Sequence, residues 1–156
     1  MMLHLITPSK GGTWLIMNRQ SSTSENATTG SPQSVLLVDD DPGIRSVARK
    51  ILERGGFLVS TAEGGEEAIR LFESKPQAFD AVVLDMVLPD MSGVRVFEGL
   101  VGLRPEIGIV LCTGYAEVSE LQELIQRGVS SVLYKPFRME ELRSAVNQAI
   151  ARSRKS

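Results

Sequence analysis

The chain of 156 residues has one cysteine, one histidine and one tryptophan, and aromatic residues make up only 5% of it. The single cysteine, Cys112, cannot form an internal disulfide and lacks the Cys/His spacing of a zinc site, so it reads as a small buried residue without chemistry. His4 has no partner nearby in sequence and makes no case for a metal ligand or an acid–base pair. Charge of one sign is missing too: a formal net charge of -2 gives no electrostatic pull toward nucleic acid or an anionic membrane. No apolar run approaches the roughly 18 residues of a membrane span. Pro8, Gly11 and Gly12 interrupt the apolar clusters near the N-terminus before a signal-peptide core can form. Disulfide scaffold, zinc module, membrane span and exported protein are thereby set aside. A cytoplasmic chain with one domain of ordinary size is the expectation.

Two regions differ in composition. Residues 21–34 hold a single apolar side chain, too little to offset the entropy of ordering them, so residues 1–33 are expected to be a flexible tail. Met17 is as good a start as Met1, and Asn26-Ala27-Thr28 matches a glycosylation sequon by chance. Residues 34–153 are expected to be the folded domain. There, short apolar runs alternate with segments of helical period, which marks an α/β protein with a parallel sheet and crossover helices.

The pattern occurs five times. The predicted strands are Val35 to Val38, Phe57 to Ala62, Ala81 to Leu84, Ile107 to Cys112 and Ser131 to Tyr134. The first helix places Ile44, Val47, Ala48, Ile51 and Leu52 on one face, with Pro42 in its first turn and Gly55-Gly56 at its end. Helices follow at Gly64 to Glu73, Val94 to Leu103, Val118 to Gln126 and from Met139 onward. Leu142, Val146, Ala149 and Ile150 form the buried stripe of the last one.

Ligands of such sheets bind at the carboxyl ends of the strands. Those ends carry Asp39, Asp40 and Asp41 after the first strand, Asp85 after the third, Thr113 after the fourth and Lys135 after the fifth. Carboxylates crowded on one rim repel each other unless a cation sits among them, and a hard divalent ion with oxygen ligands, Mg²⁺, suits that need. Mg²⁺ commonly completes its shell with phosphate, so the site implies phosphoryl chemistry. The bland alternative for Asp39 to Asp41 is helix capping; Asp41, next to Pro42, is expected to cap, leaving the first two aspartates for the ion. A carboxylate can attack phosphorus to give an aspartyl phosphate if the developing charge is neutralised. Lys135 would supply charge, Thr113 a hydroxyl donor, and Gly114 room for the phosphoryl oxygens. Singly, each of these is an ordinary turn or loop residue; their joint occurrence carries the reading.

At these positions the sequence resembles the receiver domains of two-component response regulators, over about residues 34–152. Val38-Asp39-Asp40-Asp41 is similar to the family's acidic pair, and Leu84-Asp85-Met86-Val87-Leu88-Pro89-Asp90-Met91-Ser92-Gly93 to its phosphoacceptor loop. Cys112-Thr113-Gly114 resembles its switch hydroxyl and following small residue, and Lys135-Pro136-Phe137 its lysine turn. The steps of 28 residues from Asp85 to Thr113 and 22 to Lys135 agree with it. The resemblance implies a doubly wound, flavodoxin-like (βα)5 fold with a five-stranded parallel sheet of order 2-1-3-4-5. It implies Mg²⁺ on Asp40, Asp85 and the backbone carbonyl of Val87, with Asp39 mainly through water, and a cis peptide before Pro136. The implied function is a signalling switch rather than an enzyme, with at most slow loss of its own phosphoryl group. Asp85 would be phosphorylated by a sensor histidine kinase or histidine phosphotransfer protein, and output would go to a downstream protein through the face of the fourth helix, fifth strand and fifth helix. That face would also serve a homodimer; neither nucleic acid nor membrane is an expected direct partner.

The departures from the family pattern are specific. Val132 stands where an aromatic switch residue is common, and Tyr134 is expected on the other face of the strand. Val87 and Tyr115, which would flank the phosphoryl group, are poor at orienting an attacking water, so slow autodephosphorylation is expected. Two rivals remain: a receiver-like docking module that is not phosphorylated, and a haloacid-dehalogenase-type phosphatase, which would need a second acidic pair where only Glu140 and Glu141 lie. Because the chain ends just after the fifth helix, it is expected to act as a lone receiver or as a piece of a longer protein.

Overall fold

The computed structural model describes residues 30–115 and 118–155; His4, Trp14, Met17, the sequon at Asn26 and most of the expected tail lie outside them. Five apolar segments form strands: β1 (Ser34–Val38), β2 (Leu58–Ala62), β3 (Ala81–Asp85), β4 (Gly108–Thr113) and β5 (Ser131–Tyr134). They alternate with α1 (Pro42–Arg54), α2 (Gly65–Ser74), α3 (Gly93–Leu103), α4 (Val118–Gln126) and α5 (Met139–Lys155). The strands pair in parallel in the order β2-β1-β3-β4-β5.

The central strands β1, β3 and β4 are buried on both faces, which is why they read as continuous apolar runs. Their period of two sends alternate residues to two cores. Val35, Leu37, Val83, Val110 and Cys112 pack with Ala48 and Leu52 of α1 and with Leu142, Val146 and Ala149 of α5. Leu36, Val38, Val82, Leu84, Ile109 and Leu111 pack with α2, α3 and α4 through Phe72, Phe97, Leu100 and Leu124. Helices on both faces make the fold doubly wound and leave the strand ends as the open rim.

Val47, expected on the inward face of α1, is 59% exposed. At 3.6 residues per turn it lies about 120° around the helix from the midpoint of Ala48 and Leu52, beyond the sheet's reach. Together with Ile44, Ala48, Pro136 and Phe137 it lines a groove of about 540 Å³ beside the rim. A second correction concerns β5. Leu133 packs with the α1/α5 core and Val132 against the opposite one, so strand alternation puts Tyr134, 61% exposed, on the same side as Val132.

Candidate functional site

The rim is built from the turn at the end of each strand. At the end of β1, Asp41 caps α1: its Oδ1 accepts the N–H groups of Gly43 at 2.8 Å and Ile44 at 3.0 Å. Those two backbone donors hold its carboxyl below the usual range. Capping thus occupies the third aspartate and leaves Asp39 and Asp40 facing the rim. Carboxylate oxygens of Asp39, Asp40 and Asp85 lie within 4.8 Å of one another.

Asp39 is immobilised at every polar atom. Its N–H donates to the Ala62 carbonyl at 3.2 Å, and its own carbonyl accepts from Arg45 Nη1 at 2.7 Å. Oδ1 accepts the Asp41 N–H at 2.9 Å, and Oδ2 accepts from Lys135 Nζ at 2.8 Å. Asp85, the last residue of β3, accepts the Val87 N–H on Oδ1 at 3.1 Å and Lys135 Nζ on Oδ2 at 2.9 Å. Asp39 and Asp85 are 3% and 6% exposed, so the two carboxylates and the ammonium share one desolvated corner.

That corner sets the electrostatics. Burial lifts the Asp85 carboxyl above its usual range, against the opposing pull of Lys135 and of the Val87 N–H, and neighbouring Asp39 adds to the rise. Burial works against the Lys135 charge as well, but its hydrogen bonds to Asp39 and Asp85 prevail and raise its pKa. Three carboxylates against one ammonium leave the cluster short of positive charge. A divalent cation with oxygen ligands fits that deficit and that donor set.

Thr113, fully buried at the end of β4, joins the lysine turn through its carbonyl, which accepts the Lys135 N–H at 2.8 Å. Its hydroxyl oxygen accepts the N–H of Tyr115 at 3.1 Å. The Lys135–Pro136 peptide is cis. Gly114 is exposed, and a Cβ there would meet no described atom within 4 Å. Val87 and Tyr115 are both exposed. Val132 is half-buried against the α2–α4 core.

Two residues join the site that strand-end reasoning does not find. Arg45 bonds the Asp39 carbonyl and pairs with Glu63 Oε1 at 2.9 Å. Asp90, in the β3–α3 loop, accepts the N–H groups of Gly65 and Glu66 at 2.8 Å each. The Arg45 bond to Asp39 and both bonds of Asp90 go to backbone atoms, which leave no mark in the sequence of the partner.

Comparisons with known proteins point to one family. The family described as "Response regulator receiver domain" matches residues 35–147. The two-component response regulator ARR11 of Arabidopsis thaliana is 34% identical over 109 residues, covering 70% of this chain and 21% of ARR11. The chain therefore spans about a fifth of that relative. A response regulator receiver domain protein from Clostridium thermocellum superposes with a TM-score of 0.75 at 27% identity, over 79% of this chain and 98% of that one. The receiver domain of the sensor histidine kinase PA1611 from Pseudomonas aeruginosa PAO1 superposes with a TM-score of 0.69 at 27% identity, over 78% of this chain and 99% of that one. That structure has a magnesium ion coordinated in its active-site cleft. Receiver domains are phosphorylation switches, signalling modules rather than enzymes of the ordinary kind, that bind Mg²⁺ at an acidic site and interact with histidine kinases and downstream proteins. By the match over most of its length, by its sheet order and by its acidic rim, the chain belongs to the response regulator receiver domain family.

Proposed function

We propose that this chain is a phosphorylation-dependent switch in which Asp85 accepts a phosphoryl group from a phosphohistidine of a sensor kinase or phosphotransfer protein. The observation that carries the reading is the Asp85 carboxylate, nearly buried, bonded to the Lys135 ammonium at 2.9 Å and adjoining Asp39 and Asp40. One Asp85 oxygen attacks phosphorus as the P–N bond to the donor imidazole breaks. The electron pair of that bond stays on the imidazole nitrogen, which takes a proton.

Asp40, Asp85 and the Val87 carbonyl would hold Mg²⁺ directly and Asp39 mainly through water. The ion would supply positive charge to the phosphoryl oxygens of donor and product. Lys135 neutralises charge from the other side. Asp39, locked by four hydrogen bonds, keeps the lysine aimed at Asp85, so the site needs little rearrangement when charge develops.

Output follows from Thr113. Its hydroxyl, which accepts the Tyr115 N–H in this structure, turns to a phosphoryl oxygen once Asp85 is modified and draws the β4–α4 loop with it. The signal is a population shift set by that differential bond. Val118 and Ile125 of α4, Tyr134 of β5 and Met139 of α5 expose apolar surface, which supports this face as the docking surface for a downstream protein or a second copy. With valine at the switch position, no aromatic rotation there transmits the change.

Intact mass after incubation with Mg²⁺ and acetyl phosphate tests the reading. A gain of one phosphoryl mass that disappears in Asp85→Asn is expected. No gain from either acetyl phosphate or a kinase partner leaves a docking module instead.

A further inference from the structure

The loop that follows Asp85 is held from a second direction. Asp90 presents both carboxylate oxygens to the first turn of α2, Oδ1 to the Gly65 N–H and Oδ2 to the Glu66 N–H, each at 2.8 Å. The N-cap of α2 is Gly64, which has no side chain to serve those donors, so the cap comes from 25 residues further along the chain. The fit is close on the other side as well, where a side chain would displace its neighbours. A Cβ on Gly64 would lie 2.9 Å from Asp90 Oδ1, and one on Gly65 would strike Met91 and come within 2.7 Å of Val96 Cγ2. The same bonds hold the Asp90 carboxyl below its usual range.

The inner half of the loop is equally closed. The Gly93 N–H donates to the Met86 carbonyl at 2.9 Å, and Val87 forms an antiparallel bridge with Ser92. A Cβ on Gly93 would sit 2.6 Å from Met86 Cα and 2.8 Å from the Asp85 carbonyl oxygen. The loop is therefore a short hairpin, with Asp85 and Val87 at one end and Asp90, clamped to α2, at the other.

We propose that Asp90 is a positioning residue for the magnesium site, fixing the hairpin so that the Val87 backbone stays beside the Asp85 carboxylate. The inference rests on the assignment of Asp85 and Val87 as ligands. Groups that orient the ligands of a metal without touching it commonly govern its affinity by tenfold or more. Without Asp90 the hairpin loses two charge-assisted hydrogen bonds, two N–H groups of α2 lose their partner, and only the contacts within the loop, the Val87–Ser92 bridge and the Gly93–Met86 hydrogen bond, are left to hold it.

The test is a calorimetric titration of Mg²⁺ into the full chain, as wild type, Asp90→Ala and Ile150→Val, well below every melting temperature. Ile150→Val is a destabilising core change at the opposite end of the strands, where Ala149 abuts Gly108. The expected result is a Kd for Mg²⁺ raised about tenfold in Asp90→Ala and unchanged in Ile150→Val. An Asp90→Ala protein that melts earlier yet keeps its Mg²⁺ affinity overturns the inference, since Asp90 then only caps α2. Equal weakening in both variants overturns it as well. A loss of affinity that vanishes in high salt overturns it too, because a through-space charge effect is screened and a positioning effect is not. If Asp90→Ala does not fold, Asp90→Asn, which keeps one carbonyl acceptor, replaces it: intermediate weakening supports the inference and an unchanged Kd overturns it. No Mg²⁺ binding by the wild type is a separate result that sinks the ligand assignment itself.

Discussion

Replacing Lys135 with methionine keeps a long apolar stem and removes the one ammonium among three carboxylates. The Lys135, Asp39 and Asp85 side chains are 18%, 5% and 8% exposed, so the pair belongs with buried ion pairs, whose breakage costs about 3–5 kcal/mol. The protein has one escape, protonation of Asp85. From the ordinary carboxyl value of 3.8 that costs about 4 kcal/mol at pH 7, and Asp85 begins above the ordinary value. A loss of about 3 kcal/mol is therefore expected without Mg²⁺, or about 10 °C in Tm for a domain of this size. The pH dependence has a definite sign. A raised Lys135 pKa means that its contribution is complete below the unfolded value of about 10.4 and is lost as pH climbs through the folded value, so it is constant between pH 5 and 8. In the variant the Asp85 pKa rises further above its unfolded value. Its penalty is then absent in strong acid, grows as pH rises from the unfolded pKa toward the raised folded one, and is complete above it. The gap between wild type and Lys135→Met should be wider at pH 8 than at pH 5. Mg²⁺ should stabilise the variant more than the wild type, because no ammonium competes for Asp39 Oδ2 and Asp85 Oδ2; saturation at 100-fold above Kd is worth about 2.7 kcal/mol. Thermal melts in EDTA and in Mg²⁺ across that pH range, with phosphoryl acceptance measured in parallel, form the assay. A variant in EDTA at pH 7.5 that melts within about 2 °C of the wild type, or a wild type that gains more from Mg²⁺, would refute the argument.

Asp85→Asn should raise the Tm at neutral pH in EDTA, since burial disfavours the charged form of Asp85; a lower Tm would show that its bond to Lys135 outweighs its desolvation. Gly93→Ala should cost about 1–3 kcal/mol in urea unfolding, because its methyl group meets backbone rather than a movable side chain; an unchanged midpoint would count against a closed hairpin. Cys112, whose thiol is pushed up to about 12 by burial, should resist iodoacetamide in the folded protein and react once unfolded; rapid native labelling would contradict its place in the α1/α5 core. With exposed Val87 and Tyr115 in place of carboxylate or amide groups, the phosphorylated protein should lose its phosphoryl group slowly and Val87→Asn should speed the loss; a wild-type half-life of seconds would contradict this.

The fold was legible because its strands and helices obey different periods. Val35 to Val38 and Ala81 to Leu84 are continuous apolar runs since both sheet faces are covered, and the glycines after Arg54 end α1 where the period stops. Val47 leaves its expected inward face for a physical reason: an apolar residue at helical spacing faces either the sheet or the flank of the helix, and only the position of the neighbouring turn decides. Here the lysine turn stands beside α1, and Val47 lines the groove against Pro136 and Phe137.

Within the site, legibility follows the kind of partner each residue has. Asp39, Asp40, Asp85 and Lys135 interact side chain with side chain at the ends of strands, so the sequence shows both members of each contact and the parallel sheet brings them to one rim. Arg45 instead bonds a backbone carbonyl six residues back along the chain and Asp90 backbone N–H groups 25 and 24 residues away, and any residue there would supply the same carbonyl or N–H. The trace they leave is indirect. Gly64-Gly65 is a helix start without a capping side chain, and in a helix whose first N–H groups need acceptors that deficit asks for an acid from elsewhere in the chain. Asp90, an acid in the β3–α3 loop, meets that need. The hydrogen bonds that complete the helix thereby restrain the loop that follows Asp85, which ties the stability of α2 to the geometry of the rim.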